Sequence, residues 1–272
     1  MQEKSVLDTK VREILSQAAA HPSAVAASLT PLHHVEAIEA LNQLEPKLAA
    51  GVIEHLPADA RTNLFNHPGL INNSTIMELL SHGCASTLLA GLNPDRRAEI
   101  FRNMDEDHRE ALREHLDPET RASIERIMAY PPDSAGGIMT TEFVAVPATL
   151  TAGQTIDRLR DLEPDAETIY YVYVVDQESR LVGVLSLRDL VIAPPETHIS
   201  GIMVKNVIHV YVEDHADQVA QIIGRYNLLA VPVVSDDERL VGIITVDDTI
   251  ERLLPQERRR RLPMPAIMND DE

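Results

Sequence analysis

The sequence predicts an α+β protein of several domains, in which an all-α superhelical array of short helices precedes two copies of one small strand-containing fold. Three observations predict this. Apolar residues recur every twelve positions through the first half of the chain. A short pattern then occurs twice in register, as GVLSLRD from Gly183 and GIITVDD from Gly242. The 272 residues are 44% hydrophobic, which is enough for two or three ordinary globular cores.

The helical region begins with the segment VREILSQAAA, in which apolar residues share one face. The periodicity follows from about residue 32 to residue 124. Its phase points, with Pro68 as the exception, are Leu32, Leu44, Leu56, Leu80, Leu92, Met104 and Leu116. The eighth residue after each phase point is always apolar: Ala40, Val52, Leu64, Ile76, Leu88, Ile100, Leu112 and Ile124. Apolar positions in a fixed phase indicate a continuous buried face.

The later repeats also carry signals for helix starts. They share Arg97, Arg109 and Arg121, begin with the N-cap residues Asn93, Asp105 and Asp117, and place Pro94 and Pro118 first in the helix. We expect helices of two to three turns, each burying its apolar stripe against its neighbours. Such an array is either a scaffold or movable lid, or an ordinary helical domain.

The stretch 129–141 reads AYPPDSAGGIMTT and is expected to separate the helical domain from the repeats. Pro131 and Pro132 end the helical pattern, and Gly136 with Gly137 predict a hinge-like turn. We therefore place a helical N domain at 1–128 and a hinge at 129–136.

Each copy of the repeated pattern predicts a buried strand followed by a helix. The apolar runs YYVYVVD and LLAVPVVSD precede the two patterns, as expected of strands. Ser186 or Thr245 would then lie at a helix N-terminus, with Asp189 or Asp248 three residues later. This arrangement fits a plain capping box, and it equally fits a turn that binds phosphate and ribose.

On these residues the two copies resemble tandem CBS domains (cystathionine-β-synthase motifs), placed here at 137–196 and 197–256. The resemblance implies a β-α-β-β-α unit in each copy and a pair that binds adenine nucleotides. The copies also share their beginnings, GIMTTEFVAV from Gly137 and GIMVKNVIHV from Gly201. The first copy is longer by a polar stretch around 163–168.

A helical domain, the junction Y-P-x-D-S-A-G-x-x-M-T and a CBS pair together resemble the cytosolic part of MgtE-type magnesium transporters and channels. The resemblance covers about residues 30–255. Beyond Leu254 the sequence PQERRRRLPMPAIMNDDE replaces the connecting helix and membrane domain of that family. We expect either an excised fragment or a stand-alone homologue, with a basic and acidic tail at 257–272. The arginines at 258–261 fit an anionic membrane surface or a solvated helix end.

The resemblance implies Mg²⁺ as a ligand, held by carboxylates that face one another across the domain junction. The implied metal-binding residues are Asp95, Glu99, Asp214, Asp217, Asp248 and Glu251. Asp247 joins them because two adjacent acids repel phosphate and attract a cation. At two positions where the family tends to carry an acid, this chain has Gly51 and Asn227, so fewer sites or weaker binding are expected.

The first copy is the expected nucleotide site, for ATP or another adenine nucleotide. Arg188 precedes Asp189 there, offering a guanidinium for phosphate beside a carboxylate for ribose. Ser186 lies at the helix start, and Tyr171 matches a family position that contacts adenine.

The composition of the chain restricts the kinds of molecule that it is expected to bind and the classes of protein to which it can belong. The net charge of −19 makes duplex nucleic acid a poor partner and cations a better one. Cys84 is the single cysteine, which excludes an intramolecular disulfide and fits a reducing compartment. No run of eighteen uninterrupted apolar residues is present to span a membrane. No Ser-His-Asp or Cys-His order has a supporting motif, so an enzyme is not expected.

The resemblance therefore implies a cytoplasmic, Mg²⁺-sensing regulatory module at the inner face of the cell membrane. It would close when divalent cations bridge acidic faces of the N and CBS domains, and it would serve a magnesium-transporting membrane domain on the same or a separate polypeptide. The resemblance also implies a homodimer, expected through the apolar helices around 156–162 and 219–223. The alternative is a stand-alone adenine-nucleotide sensor that regulates a partner protein.

Overall fold

The computed structural model describes residues 18–162 and 169–253. Nearly all of the helix expected at residues 11–20, the polar stretch at 163–168 and the tail beyond 253 lie outside the described residues. Within the described ranges, no helix is both long enough and apolar enough to cross a lipid bilayer.

The helical region consists of short helices that pack in alternation. Their bounds are α1 (Pro22–Leu29), α2 (His34–Leu41), α3 (Pro46–Ile53), α4 (Ala58–Asn66), α5 (Asn73–Leu79), α6 (His82–Gly91), α7 (Pro94–Asn103), α8 (Glu106–Arg113) and α9 (Pro118–Met128). Each helix from α1 to α7 packs against the helix two places further along the chain. A helix of two to three turns has little stability alone, and this alternation gives each one a partner on its apolar face.

The twelve-residue periodicity corresponds to the core of this array. All eight residues of its second phase are buried in one apolar cluster: Ala40, Val52, Leu64, Ile76, Leu88, Ile100, Leu112 and Ile124. Helices α7, α8 and α9 begin directly after the expected N-caps Asn93, Asp105 and Asp117. Of these three, only Asp117 accepts hydrogen bonds from N–H groups of its own first turn.

A second set of residues, also twelve positions apart, links parts of the helical array that are distant in sequence. Sequence reasoning missed this set. Its members, here called the polar series, are Asn42, Glu54, Asn66 and Glu78. Each makes a hydrogen bond to a backbone group 27 residues further along the chain. Glu54 Oε1 accepts from the N–H of Ser81 at 2.6 Å, and Glu78 Oε1 accepts from the N–H of Asp105 at 2.7 Å. For Glu54, Asn66 and Glu78 the partner is the N-cap residue of a later helix, so these three fix the start of one helix to the end of another.

The shared arginines serve the same array. Arg97 donates to the carbonyl oxygens of Leu89 and Leu92, both at 2.6 Å. Arg121 donates to the carbonyl of Arg113 at 2.8 Å, and Arg109 to that of Arg102 at 3.1 Å. Carbonyls at the end of a helix lack partners within it, and these side chains supply them. The arginines shared by the repeats are therefore structural.

The second half contains two β-α-β-β-α units, as expected. The first has β1 (Ala145–Pro147), α11 (Ala152–Leu162), β2 (Tyr171–Val175), β3 (Leu181–Ser186) and α12 (Leu187–Ile192). The second has β4 (Val210–Tyr211), α13 (Ala216–Tyr226), β5 (Ala230–Val234), β6 (Leu240–Thr245) and α14 (Val246–Leu253). In each unit the first strand runs parallel to the second, and the second antiparallel to the third.

The two units exchange their opening segments, so contacts do not follow the boundaries placed at 137 and 197. Thr140, at the start of the first copy, pairs with Ile243 of the second through backbone hydrogen bonds of 2.9 and 3.0 Å. Val204, at the start of the second copy, pairs with Val184 of the first at 2.9 and 3.0 Å. The exchange ties the two units into one body.

The same exchange explains the recurring glycines of the repeated pattern. A Cβ at Gly242 would lie 2.5 Å from Met139 Sδ, and one at Gly183 would lie 2.6 Å from Met203 Sδ. Both methionines belong to the repeated GIM beginnings. Each glycine therefore leaves room for the methionine of the other copy.

The junction is a short helix and lacks the expected turn at Gly136 and Gly137. Both glycines are buried in α10 (Ala135–Ile138), and no glycine in the described ranges has a positive φ. Ala135 donates its N–H to the carbonyl of Asp214 at 2.7 Å, and Gly136 donates to Val212 at 2.9 Å. In this structure the segment is therefore fixed to the second β-α-β-β-α unit, between β4 and α13.

Candidate functional site

Helix α7 brings charged residues of the helical domain to the second β-α-β-β-α unit. It packs against the junction helix α10, and Arg102 near its end donates to the carbonyl of Gly137 at 3.4 Å. Asp95 and Arg96 in its first turn are both 8% exposed. Glu99 follows one turn after Asp95, on the same side of the helix. The first turn of α7 is therefore enclosed, although two of its residues are ionisable.

Asp95 is the most enclosed acid of the expected set. Burial raises the pKa of its carboxyl to about 6, with Glu99 adding to the rise while the nearby Arg96 guanidinium opposes it. Its Oδ1 atom is buried and has no hydrogen-bond partner among the described residues. A buried carboxylate oxygen without a partner is costly. A cation bound to Asp95 Oδ1 would supply the missing partner.

Asp248 reaches the same place from the other domain. It lies in the first turn of α14, directly after β6, and the Thr245 hydroxyl donates to its Oδ2. Burial and then the charge of Asp95 raise the pKa of Asp248 to about 7. Exposed Asp247 adds to the rise, and Arg96 opposes it. The fold thus places two acids from separate domains where each makes the other harder to ionise.

This pair fits a divalent cation. Mg²⁺ takes hard oxygen ligands, keeps several of its waters and is often held by only one or two carboxylates. The buried Oδ1 of Asp95 has no hydrogen-bond partner among the described residues, and the raised pKa of both carboxyls means that their ionised forms are poorly stabilised without a cation. Asp95 and Asp248 would hold the ion, with Asp247 beside them.

The other expected metal ligands either have polar partners close to them in the chain or lie outside the described residues. Glu99 Oε2 accepts from Arg96 Nη1 at 2.6 Å. Asp214 accepts from the N–H of Tyr211 at 2.8 Å, and Asp217 lies 3.6 Å from His215 Nδ1. Asp214 and Asp217 therefore have local partners near the start of α13. The side chain of Glu251 lies outside the described residues.

Gly51 and Asn227 occupy the two positions at which the family tends to carry an acid, and the structure describes both. Gly51 lies within α3, with open space where a side chain would be. Asn227 caps α13 with a φ of 52°, a left-handed conformation that asparagine adopts more readily than most residues. Neither residue adds to the Asp95–Asp248 pair.

A further acidic group, which the sequence analysis did not single out, lies on the helical domain. Glu78, Asp105 and His108 offer ligand atoms within 4.8 Å of one another. Glu78 already accepts from the N–H of Asp105 as a member of the polar series. Glu54 does the same for Ser81, so the Glu78 contact is explained by the repeat.

The expected nucleotide residues lie at one end of the sheet formed by β1, β2 and β3. Tyr171 on β2 is directly opposite Ser186 on β3. Ser186 and Asp189 form a reciprocal capping box: Asp189 donates its N–H to Ser186 Oγ at 3.1 Å, and Ser186 donates its N–H to Asp189 Oδ2 at 3.3 Å. The Ser186 hydroxyl also donates to Asp189 Oδ2 at 2.6 Å. Arg188 and Asp189 are exposed. The capping interpretation is therefore confirmed, and a ligand could still reach both charged residues.

Comparison with protein families matches both halves of the chain. The model described as the MgtE intracellular N domain matches residues 21–133, and the CBS domain model matches residues 135–196 and 199–255. The sequence is 38% identical to a magnesium transporter MgtE of Thermus thermophilus over an aligned length of 242 residues. The alignment covers 79% of this chain and 54% of that protein. It is 48% identical to a magnesium transporter MgtE of Enterococcus faecalis over 133 residues, 49% of this chain and 29% of that protein.

Solved structures show the same similarity in three dimensions. The cytosolic domain of the Mg²⁺ channel MgtE in complex with ATP is 35% identical, with a TM-score of 0.79 over 85% of this chain and 94% of that one. The soluble part of a magnesium transporter is 32% identical, also with a TM-score of 0.79, over 91% of this chain and 98% of that one. The chain spans about half the length, or less, of the curated relatives it matches.

Proposed function

Because this chain belongs to the MgtE family, as a homologue of the cytosolic region of MgtE magnesium transporters, we propose that it is the Mg²⁺-sensing module of such a transporter. It closes when divalent cations bridge acidic faces of the helical and CBS domains. The module lies at the inner face of the cell membrane, and the magnesium-transporting membrane domain that it serves is on the same polypeptide or a separate one. The observation that carries this proposal is that Asp95 in α7 lies near enough to Asp248 in α14 for its charge to raise the pKa of the Asp248 carboxyl.

The sensing step is electrostatic. Without a divalent cation, closure forces two carboxylates into a poorly solvated site, where one of them must take up a proton or pay for its charge. Opening lets water solvate both groups. With Mg²⁺ bound between them, the attraction of each carboxylate for the ion replaces their repulsion, and the closed arrangement is favoured. A ligand that binds only the closed state shifts the population toward it.

The homodimer needs an apolar surface that one protomer leaves uncovered. In the two segments expected to dimerise, 156–162 and 219–223, Leu159, Val219 and Ile223 are buried in the cores of their own CBS units. Val191 and Ile192 at the end of α12 are 67% and 68% exposed, and Leu229 after α13 is 47% exposed. We assign the dimer contact to these exposed residues and their helices.

Limited proteolysis and small-angle X-ray scattering test the proposal together. The protein should be compared in chelator and in millimolar Mg²⁺, without nucleotide. We expect Mg²⁺ to protect the junction at 131–137 from cleavage and to reduce the radius of gyration, because bridging holds the helical domain against the CBS pair. Identical cleavage and identical scattering in the two conditions would contradict Mg²⁺ sensing.

The second candidate function is the binding of an adenine nucleotide by the first CBS unit. It is favoured by the exposed Arg188 and Asp189 beside Tyr171, and by the relative whose cytosolic domain was solved with ATP. If nucleotide alone protected the junction and Mg²⁺ did not, the chain would act as a nucleotide-sensing regulator of a partner protein.

Titration with ATP tests that assignment. Asp189→Ala and Arg188→Ala should each weaken ATP binding about tenfold or more, because each removes a charged hydrogen-bonding partner worth about 1.5–3 kcal/mol. Arg188→Ala leaves the capping box intact, so its effect cannot come from a damaged helix start. Asp248→Ala, at the matched position of the second copy, should keep the affinity. Unchanged affinity in both first-copy variants would refute the assignment.

A further inference from the structure

Three histidine rings lie together where the start of α2 meets the end of α4. His34, the first residue of α2, has its ring centroid 5.5 Å from that of His67, which directly follows α4. The ring centroid of His33 lies 4.1 Å from that of His34. His67 is half-buried, and the other two histidines are exposed. Positive charges on neighbouring rings repel each other, so this cluster is most stable when its rings are neutral.

The neutral form of His67 also holds the chain that follows it. Its Nδ1 atom accepts from the N–H of Gly69 at 2.9 Å, and an imidazole nitrogen accepts a hydrogen bond only while it carries no proton. The carbonyl of Gly69 in turn accepts from Asn42 Nδ2 at 2.8 Å. Asn42 Oδ1, at the end of α2, accepts from the N–H of Ile71 at 2.9 Å. The unprotonated Nδ1 of His67 therefore helps to fix residues 67–71 against α2.

The surroundings of His67 oppose a proton on its ring. Burial lowers the pKa of His67 to about 4, and the charges of His34 and His33 on α2 and of Arg96 on α7 add to the fall. Burial, followed by the charge of His33, also lowers the pKa of His34. A proton on any one of these rings therefore makes a proton on the next one less favourable.

Other features of the same region favour a positive charge and are outweighed. His67 follows the C-terminal end of α4, where the helix dipole favours a cation. Glu36 Oε2 accepts from the N–H of His33 at 3.3 Å, and Asp59 lines a cavity together with His33 and His34. The low pKa of His67 shows that burial and the neighbouring positive groups have the larger effect.

An equivalent histidine contact later in the array differs in one respect. His82 begins α6 and His115 follows α8, each four twelve-residue repeats after His34 and His67, and their ring centroids lie 4.6 Å apart. His115 Nδ1, however, lies 2.9 Å from the carbonyl oxygen of Ala111, an atom that only accepts. His115 therefore carries a proton on Nδ1, and a second proton on Nε2 leaves its bond intact. Protonation breaks the main-chain bond of the His67 ring alone.

The residue before His67 connects this region with α7. Asn66 Nδ2 donates to Oδ1 of Asn93 at 3.1 Å, and the N–H of Asn93 donates to Asn66 Oδ1 at 3.0 Å. Asn93 is the N-cap residue of α7. A displacement of His67 therefore reaches the start of α7 through one pair of side chains.

We propose that the contact of the His67 ring with Gly69 is an acid-sensitive latch, which fixes residues 67–71 against α2 while the ring is neutral and releases them when Nδ1 takes up a proton. Release also loosens the start of α7, because Asn66 moves with His67. The pKa of His67 in the latched protein lies below its ordinary value of 6.5, so the latched form binds fewer protons and loses stability as the pH falls from 6.5 to about 4. The latch belongs to the helical domain and does not depend on Mg²⁺ sensing.

Amide hydrogen exchange of the full chain in chelator, compared at about pH 7 and about pH 5.5, measures this release. After correction for the intrinsic pH dependence of exchange, the protection of the Gly69 and Ile71 amides should fall by about three- to tenfold at the lower pH. The amide of Asn93 should lose protection as well. Protonation of the Asp95–Asp248 pair has the opposite sign, because the pKa of both carboxyls is raised, and it cannot cause this loss. Equal protection of Gly69 and Ile71 at the two pH values would overturn the latch.

Two variants assign the effect to His67. His67→Asn supplies a side-chain oxygen that accepts from an N–H two residues on and does not titrate, so protection of Gly69 and Ile71 should change by less than about twofold between the two pH values. His115→Asn removes the matched ring and should keep the wild-type loss. A loss of wild-type size in His67→Asn would mean that another group drives release, and would overturn the latch.

The nitrogen chemical shifts of the wild-type imidazole give a second measurement that needs no variant. We expect His67 Nδ1 to be unprotonated at about pH 7 and to gain its proton together with the loss of protection at Gly69. A proton on Nδ1 at about pH 7, or a doubly protonated ring while Gly69 stays protected, would contradict the proposal even if His67→Asn folds poorly.

Discussion

Replacing Asp248 by asparagine is expected to abolish most of the Mg²⁺ response while holding the two domains together more firmly in chelator. Asparagine has the same shape and can still accept from the Thr245 hydroxyl, but it carries no charge. Burial and the charge of Asp95 raise the pKa of Asp248 from 3.8 to about 7, so the ionised form is disfavoured in the closed protein. Removing that charge should stabilise the metal-free closed arrangement by about 2 kcal/mol, well below the full value of the shift because the two acids share the penalty.

Because of Asp248, the stability of the wild-type protein without metal is expected to fall as the pH rises. The pKa of Asp248 in the folded protein lies above its unfolded value, so the folded state binds more protons between about pH 4 and 7. Wild-type protein in chelator should therefore lose stability as the pH rises through this range, relative to Asp248→Asn. The difference between the two urea-unfolding free energies, measured at several pH values, reports the titration of Asp248 together with its coupling to Asp95 and removes the contribution of groups that do not interact with them.

Asp247→Asn is the matched control for the loss of one negative charge. Asp247 is adjacent and exposed, so its removal should change only modestly the Mg²⁺ concentration that gives half-maximal protection of residues 131–137, and leave stability in chelator within about 0.5 kcal/mol of wild type. Equal effects of the two substitutions would mean that net charge, and not the buried pair, governs closure. A full Mg²⁺ response in Asp248→Asn would remove Asp248 from the site.

The helical array could be predicted from sequence because its signal is local. The eight apolar positions from Ala40 to Ile124 recur at a fixed spacing, and burial imposes that spacing directly. The polar series has the same period and was visible in principle. It was missed because Asn42 and Glu54 differ in chemistry, and because their backbone partners lie 27 residues away.

The arrangement between domains was less accessible to sequence reasoning. The acids Asp95 and Asp248 were expected to face each other only because of the family resemblance, since nothing in their local sequence relates them. The pairing of Arg96 with Glu99 was not foreseen, although their spacing permits it on a helix. The exchange of Met139 and Met203 between units was also missed, because it depends on long-range packing.

Gly136 and Gly137 show how a local signal can be misinterpreted. Glycine pairs often mark turns because glycine tolerates positive φ, and the neighbouring prolines supported that interpretation. Here the backbone of both residues is helical. The glycines are needed because other atoms occupy the space of a side chain: a Cβ at Gly136 would lie 2.5 Å from the Tyr130 ring.

Replacing Gly137 by alanine is therefore expected to disrupt the junction. A Cβ there would lie 1.9 Å from the carbonyl oxygen of Pro131 and 3.2 Å from Pro132 Cα, which are backbone atoms that cannot rotate away. Since alanine is intrinsically the better helix former by about 1 kcal/mol, any loss of stability must come from this steric conflict. Relief requires α10 to move and lose its bonds to Val212 and Asp214, at a cost of about 3 kcal/mol or more.

Calorimetry with and without Mg²⁺ measures the consequence. Once the junction is displaced, the helical domain and the CBS pair should unfold in separate transitions, and Mg²⁺ should no longer raise the temperature of the first. Gly51→Ala is the control: Gly51 lies in α3 with no atom within 4 Å of its added Cβ, so the change should stabilise by about 0.5–1 kcal/mol. If Gly137→Ala instead matched wild type in both transitions and Mg²⁺ response, the junction would be adaptable, and the coupling of metal binding to domain closure would have to run through α7 and α14 alone.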